Sequence, residues 1–251
     1  MKEQEKIAIL ITTFMRDDLL IRTVNTILKN WDDRFYILIG DQGSAGSKEW
    51  LYKKLKNQKK GKVIYLPFDC GLSHARNQLV TEAYYLSLKY VLLSADSIQF
   101  TNKYDFQPII DFLNTDKDRG IVGFHLDGSK GDWYRDLELI PGKYFQLNKP
   151  TREAIGDFQP VDIVKNFFLA KTDCLLDNPW DRELCLCEHE DFAYRLKTET
   201  NWKVFYYPKL SALHVTEREG EYAKFRNRCY NEFQTKLKQK YGITGWVRCD
   251  K

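Results

Sequence analysis

At two places in this chain carboxylates stand where a ligand could meet them, one alone and one in a cluster. The first is Val91 to Phe100, Val-Leu-Leu-Ser-Ala-Asp-Ser-Ile-Gln-Phe, an apolar run that reads as a strand delivering Asp96 to its end. In an open α/β sheet the ligand crevice lies at the carboxyl ends of the strands, so a carboxylate there can meet a metal or a nucleotide ribose. A cap for the next helix is the competing reading of Asp96. The second place is Glu188-His189-Glu190-Asp191. Three carboxylates in four residues repel one another when ionised, and a helix starting here would meet them with its positive end. A carboxylate so held is a sensible general base for a hydroxyl nucleophile. The alternative is an N-terminal cap of a helix through Phe192, Tyr194 and Leu196, with the extra acids solvated. His214, between Leu213 and Val215, reads either as a metal ligand or as an ordinary packed histidine. Cys185, Cys187 and His189 are zinc-ligand types, but their alternation suits a strand and no second pair follows at zinc-finger spacing.

The elements that must position these groups alternate through the first hundred residues. Ile7 to Ile11 runs into Thr12-Thr13-Phe14-Met15-Arg16, Phe35 to Ile39 into Gly40-Asp41-Gln42-Gly43-Ser44, and Val63 to Leu66 into Pro67 and then Asp69-Cys70-Gly71. Each reads as a strand followed by a polar turn. Between them, Leu19, Leu20, Val24, Ile27 and Leu28 share one helical face after the acidic pair Asp17 and Asp18. Trp50, Leu51 and Leu55 make a weaker helix, and Leu79, Ala83, Leu86 and Leu88 a better one. Strand and helix in this order imply a parallel sheet with right-handed crossovers, a nucleotide-binding architecture.

The second half is organised differently. A strand at Ile121 to Leu126 precedes sequence with Trp133, Tyr134, Tyr144 and Phe145, which reads as short antiparallel strands. Val161 to Ala170 reads as one buried strand, and Phe205 to Pro208 as a strand closing on Leu213 to Val215. The tail from Tyr222 to Tyr241 reads as one basic helix whose Phe225, Tyr230, Phe233 and Leu237 cover an edge of the core.

Composition narrows the class. With 251 residues and 43% hydrophobic side chains, the chain can bury one sizeable core. The net charge of +4 does not call for nucleic acid, and the lysines between Lys53 and Lys60 read as a solvated face. No segment has the ~20 apolar residues that span a bilayer, and the first strand at Ile7 leaves no room for a signal peptide. A cytoplasmic location is expected, with the six scattered cysteines reduced.

Taken in order, Thr-Thr-Phe-Met-Arg, Gly-Asp-Gln-Gly-Ser, Gly-Leu-Ser-His-Ala-Arg-Asn, Ser-Ala-Asp-Ser, Glu-His-Glu-Asp-Phe and a late Leu-His-Val resemble the inverting GT-A glycosyltransferases of family 2 type, from about residue 7 to 240. Within them, Val164 to Asp173 looks like the segment before the catalytic helix in the beta-N-acetylgalactosaminyltransferases of ganglioside synthesis. The resemblance implies a single GT-A domain, α/β, with a central, mainly parallel mixed sheet flanked by helices. Its nucleotide-sugar half would be 1–101, its acceptor and catalytic half 102–221, and its C-terminal basic helix 222–251.

By the same resemblance, Thr12, Thr13, Phe14 and Arg16 line the base and phosphates, Asp41 hydrogen-bonds the base, and Arg76 faces the diphosphate or donor sugar. Asp96 sits at the metal motif, where family members usually carry two or three aspartates but this chain has Ala95-Asp96-Ser97. Asp96 and His214 would then hold Mn²⁺ or Mg²⁺ with help from diphosphate and water. One alignment puts His189 at the catalytic base; another puts Asp191 there, with Glu190 and Glu188 behind it, and Asp191 is the expectation taken. The expected reaction moves a hexose or N-acetylhexosamine from a UDP-sugar to a hydroxyl of a glycan, lipid or other acceptor, with inversion. Trp133, Tyr134 and Trp180 are candidates to stack on sugar faces. Two rivals differ in class. A nicotinamide-linked oxidoreductase lacks its Gly-x-Gly-x-x-Gly after Ile11. A non-catalytic nucleotide-sugar or glycan-binding module would bind without turnover.

Overall fold

Strand β1 (Ile7–Thr13) is apolar on both faces, as a strand must be when helices cover a parallel sheet from both sides. The computed structural model describes residues 5–31, 33–43, 46–128, 134–215, 221–245 and 247–249. Ile7, Ile9 and Ile11 of β1 join one core layer and Ala8 and Leu10 the other, the period of two that a pleated strand imposes. Helix α1 (Asp17–Asn30) follows, burying Leu19, Leu20, Val24 and Ile27, with Asp17 and Asp18 at its positive end. Strand β2 (Phe35–Asp41), helix α2 (Glu49–Asn57), strand β3 (Gly61–Tyr65), helix α3 (Leu72–Tyr85) and strand β4 (Tyr90–Ala95) complete the alternation.

The later elements are β5 (Ile98–Gln99), α4 (Gln107–Asn114), β6 (Arg119–Asp127), β7 (Tyr134–Ile140), β8 (Tyr144–Asn148), β9 (Gln159–Val161), β10 (Ile163–Val164) and β11 (Phe168–Lys171). After them come α5 (Thr172–Asp177), α6 (Glu188–Glu199), β12 (Lys203–His214), α7 (Glu221–Arg228), α8 (Tyr230–Tyr241) and β13 (Val247–Cys249). The main sheet runs β3-β2-β1-β4-β11-β6-β12-β5, with β9 beside β12. β3, β2, β1 and β4 are mutually parallel; β11 is antiparallel to both β4 and β6, and β5 antiparallel to β12. The fold is the expected α/β class with a mainly parallel central sheet. A second sheet, β10-β7-β8-β13, carries Leu137, Phe145 and Leu147 against Ala193 of α6 and Leu237 of α8.

Three stretches differ from the sequence expectation. Val161 to Ala170 is not one strand: Asp162 takes the Leu137 N–H and the Arg152 and Lys197 side chains, which turns the backbone there and leaves β9, β10 and β11 in different pairings. Phe205 to Pro208 and Leu213 belong to one strand, β12, whose register shifts between Tyr207 and Ser211, where Pro208 cannot donate to the ladder. The tail is two helices broken at Cys229, and α8 covers the second sheet rather than the main core. Among the described residues, no helix is long and apolar enough to cross a membrane.

Candidate active site

The chain leaves β1 toward β2 on one side, while β4 lies on the other, so the carboxyl ends of β1 and β4 form a topological switch point. Asp96 stands there, fully buried, one residue past β4. Thr13 at the end of β1 donates its hydroxyl to Asp96 Oδ2 at 3.0 Å, and Arg16 Nε donates to the same oxygen at 3.1 Å. Arg16 Nη2 pairs with Oδ1. The Asp96 carbonyl accepts from Thr23 Oγ1 of α1 at 2.7 Å, which fixes the backbone beneath the carboxylate. The antiparallel pairing of β12 with β5 sets His214 opposite Ile98, two residues past Asp96, so the sheet does bring the two expected metal ligands into one region.

That donor set does not fit a divalent ion. Such an ion takes about six hard ligands; among the described residues no three His, Cys, Asp or Glu side chains are grouped to hold one, so Asp96 and His214 would have to be completed by diphosphate and water, and Asp96 must be open to it. Both oxygens of Asp96 already accept from Thr13 or Arg16. An ion binding this carboxylate would have to displace the guanidinium or sit beside it, where at ~4 Å and an effective dielectric of ~20 the two like charges repel by roughly 8 kcal/mol, about what one carboxylate at that distance returns.

Asp41, at the end of β2, is also fully buried. Its Oδ1 accepts from Gly43 N at 3.0 Å and Lys48 Nζ at 3.1 Å, and its Oδ2 from Tyr52 Oη at 2.7 Å. The buried Lys48 also reaches Asp17 at 3.0 Å. Asp41 thus holds the turn after β2 and the start of α2, and burial beside that carboxylate pushes the Tyr52 phenol upward. The neighbouring Gln42 accepts the Gly71 N–H at 2.9 Å, joining the turns after β2 and β3. Gly71 has φ +86°, and a Cβ there would lie 2.6 Å from Cys185 Cβ, so only glycine lets the α3 entry meet the loop before α6.

A cavity of about 180 Å³ opens between these turns, lined by Phe14, Leu72, Cys185 and Leu186 and by Tyr222 and Phe225 of α7. Phe14, Phe68 and Phe225 meet edge to face, with centroids 5.1 to 5.9 Å apart. Arg228 pairs with Asp69 and so pins α7 across the mouth. Beside this cavity a wider recess of about 580 Å³ is lined by Arg16, Gly43, Ser47 and Lys48.

Helix α6 carries the acidic cluster on its first turn, directly after the loop whose Cys185 and Leu186 line the cavity. Its four residues go four ways. Glu188 pairs with Arg76 Nη1 of α3 at 2.5 Å, so Arg76 is turned to α6. The His189 Nε2–H donates to the Val164 carbonyl at 2.5 Å, and burial pushes that imidazole down to about 4. Asp191, fully buried, accepts from Arg195 Nε at 3.0 Å, Tyr241 Oη at 2.7 Å and Lys240 Nζ at 2.6 Å. In that state it anchors α8. Glu190 is buried without a cationic partner among the described residues, and burial, with Glu188 adding to it, raises its carboxyl to about 7.

Of the aromatic candidates, Trp180 is core: it stacks on Phe192 at 4.4 Å. Its backbone is held by both ends of the Asn77 amide. Tyr134 stacks on Tyr206 at 4.1 Å, and Trp133 lies outside the described residues. Cys185, Cys187 and His189 do not alternate along a strand: Cys187 is left-handed, φ 62°, at the start of α6.

A family model described as Glycosyl transferase family 2 matches residues 8–170. The chain belongs to glycosyltransferase family 2. Solved structures share the GT-A fold at low identity with this family 2 chain. S. aureus TarS 1–349 in complex with UDP-GlcNAc has a TM-score of 0.63 at 17% identity, covering 87% of this chain and 60% of that one. GalNAc-T7 with UDP, GalNAc and Mn²⁺ has a TM-score of 0.67 at 15% identity, over 86% and 45%. The mannosyltransferase PcManGT from Pyrobaculum calidifontis, with GDP-Man and Mn²⁺, has a TM-score of 0.62 at 10% identity, over 95% and 65%. The family 2 chain therefore spans less than two thirds of the length of these structures. No curated protein sequence matches it.

Several site residues of this family 2 chain carry no signal in its sequence. Lys48 sits among ordinary surface lysines, yet it is buried between Asp17 and Asp41. Tyr222, Arg228, Lys240 and Tyr241 lie in a tail that reads as an edge cover, and they reach Arg16, Asp69 and Asp191.

Proposed function

We propose that this chain transfers a sugar from a nucleotide-sugar donor, a UDP-sugar, to an acceptor hydroxyl with inversion. The observation that carries the proposal is the contact of Thr13 and Arg16 with Asp96 across the switch point of a family 2 fold. In this reading the nucleoside enters the cavity between Phe14 and Gly71, and the diphosphate lies toward the recess at Arg16. Asp41 serves the base indirectly, by holding the turn after β2 through Lys48 and Tyr52.

The base assigned in this proposal is Glu190. Among the four clustered residues, Glu188 and Asp191 are tied to cations and His189 to a carbonyl. Glu190 has a carboxyl raised to about 7, near the value that lets one group both take a proton at neutral pH and remain ionised enough to do so. The acceptor oxygen attacks the anomeric carbon, its proton goes to the Glu190 carboxylate, and the bond from carbon to the diphosphate oxygen breaks with its electron pair on that oxygen. A single displacement of this kind inverts the anomeric centre. The ion expected at Asp96 and His214 takes no step here, because the residues do not fit it. Donor turnover by the wild type and Glu190→Gln, assayed over UDP- and GDP-sugars, tests the proposal. Transfer from a UDP-sugar that drops ~10² to 10⁴-fold in the variant supports it, whereas unchanged turnover removes Glu190 from the chemistry.

A further inference from the structure

Arg16 pairs with Asp96, the carboxylate on which the family resemblance expects a metal ion, so the positive charge there belongs to the chain itself. Its Nε and Nη2 both engage the buried Asp96 carboxylate, the fork-to-fork geometry that fixes a guanidinium plane. The guanidinium carbon also lies over the Tyr222 ring, 4.1 Å from its centroid. Its remaining nitrogen, Nη1, makes no hydrogen bond among the described residues, and Arg16 lines the open recess of about 580 Å³ beside the nucleoside cavity. Lys48 lines the same recess, but its ammonium is committed to Asp17 and Asp41.

We propose that Arg16, oriented by Asp96, supplies the positive charge that receives the donor's diphosphate, so that this chain binds nucleoside diphosphates without a divalent ion. The inference rests on the donor reading given under Proposed function. As the glycosidic carbon–oxygen bond breaks, the electron pair stays on the diphosphate oxygen and Arg16 remains protonated, so no proton moves at this group. A guanidinium is charged at every working pH and presents planar paired donors to a phosphate, which suits it to this task. Asp96 is then a positioning residue.

Calorimetry on the full chain tests this with UDP, GDP, CDP, dTDP and ADP, the matching monophosphates and nucleosides, each in chelator and in Mn²⁺. In chelator the preferred diphosphate is expected to bind at least about tenfold more tightly than its monophosphate. Mn²⁺ should change that ratio by less than about threefold. Arg16→Met should erase the ratio and leave nucleoside affinity unchanged, Arg16→Lys should keep part of it, and Asp96→Asn should lower it. A ratio that vanishes in chelator and returns with Mn²⁺ overturns the inference while leaving the donor reading intact. So does a ratio that survives in folded Arg16→Met. If no diphosphate binds in either medium, the donor reading itself falls and takes the inference with it.

Discussion

Arg76 of α3 and Glu188 of α6 form a buried ion pair, Nη1 to Oε1 at 2.5 Å, that ties α3 to the start of the acidic helix. Asn166 lies 3.5 Å from the same Glu188 oxygen, and the Trp180 ring lies under the guanidinium at 5.4 Å. Removing one member leaves the other charged and dry, so Arg76→Met should cost roughly 3 to 5 kcal/mol of unfolding free energy. The double variant Arg76→Met with Glu188→Met should cost clearly less than the sum of the singles. Urea denaturation of all four proteins measures both; additive losses would mean that the pair is not coupled.

Asp191 is the second structural tie. With Arg195, Tyr241 and Lys240 on its oxygens, Asp191→Asn should lower stability by roughly 2 to 4 kcal/mol, since hydrogen bonds to a buried charge are the costly ones to lose. Hydrogen exchange should quicken in α8 before it does in β1 or β4. If Asp191→Asn is as stable as the parent and loses turnover, Asp191 is the base and Glu190 is not.

The cluster also sets opposed pH dependences. The Glu190 carboxyl is raised from 4.5 to about 7 in the folded chain, so its contribution to stability is full below about 4.5 and is lost as pH climbs to about 7. The His189 imidazole is lowered from 6.5 to about 4, so its contribution is full above 6.5 and is lost as pH falls toward 4. Between pH 4.5 and 6.5 the two slopes cancel. Glu190→Gln should therefore unmask an acid loss of about 3 kcal/mol across that window, relative to the parent. His189→Gln should instead lose stability as pH rises. Thermal melts at half-unit pH steps check the signs, and parallel curves for parent and variants would mean that neither group titrates differently on folding.

In turnover, Glu190 must be ionised to accept a proton. The acid limb of the kcat profile should therefore fall near pH 7 and disappear in Glu190→Gln. A limb near 4 would point to an unburied carboxylate instead.

What the sequence shows well is local. Period-two burial in β1, the apolar stripe of α1 and the placement of Asp96 past a strand end follow from spacing alone, because each is decided within a few residues. Family motifs add the grouping of Thr13, Arg16 and Asp96. What stays hidden is who holds whom. Arg16 meets Asp96 across 80 residues of chain and Asp191 meets Tyr241 across 50, and no periodicity records such pairs. For the same reason the sequence does not show that the tail holds Asp191, or that Phe192 covers the ring of Trp180. Val161 to Ala170 has the composition of a strand, and only the side chains converging on Asp162 show where it breaks.

The most direct test of the account is release of nucleoside diphosphate by the full chain from UDP-GlcNAc, UDP-GalNAc, UDP-Glc, UDP-Gal and GDP-Man, with water or an added sugar as acceptor. Turnover is expected from at least one UDP-sugar, exceeding that from GDP-Man and reduced ~10² to 10⁴-fold in Glu190→Gln while donor affinity is kept. Tight UDP binding with no release from any donor would contradict it and leave a binding module in its place.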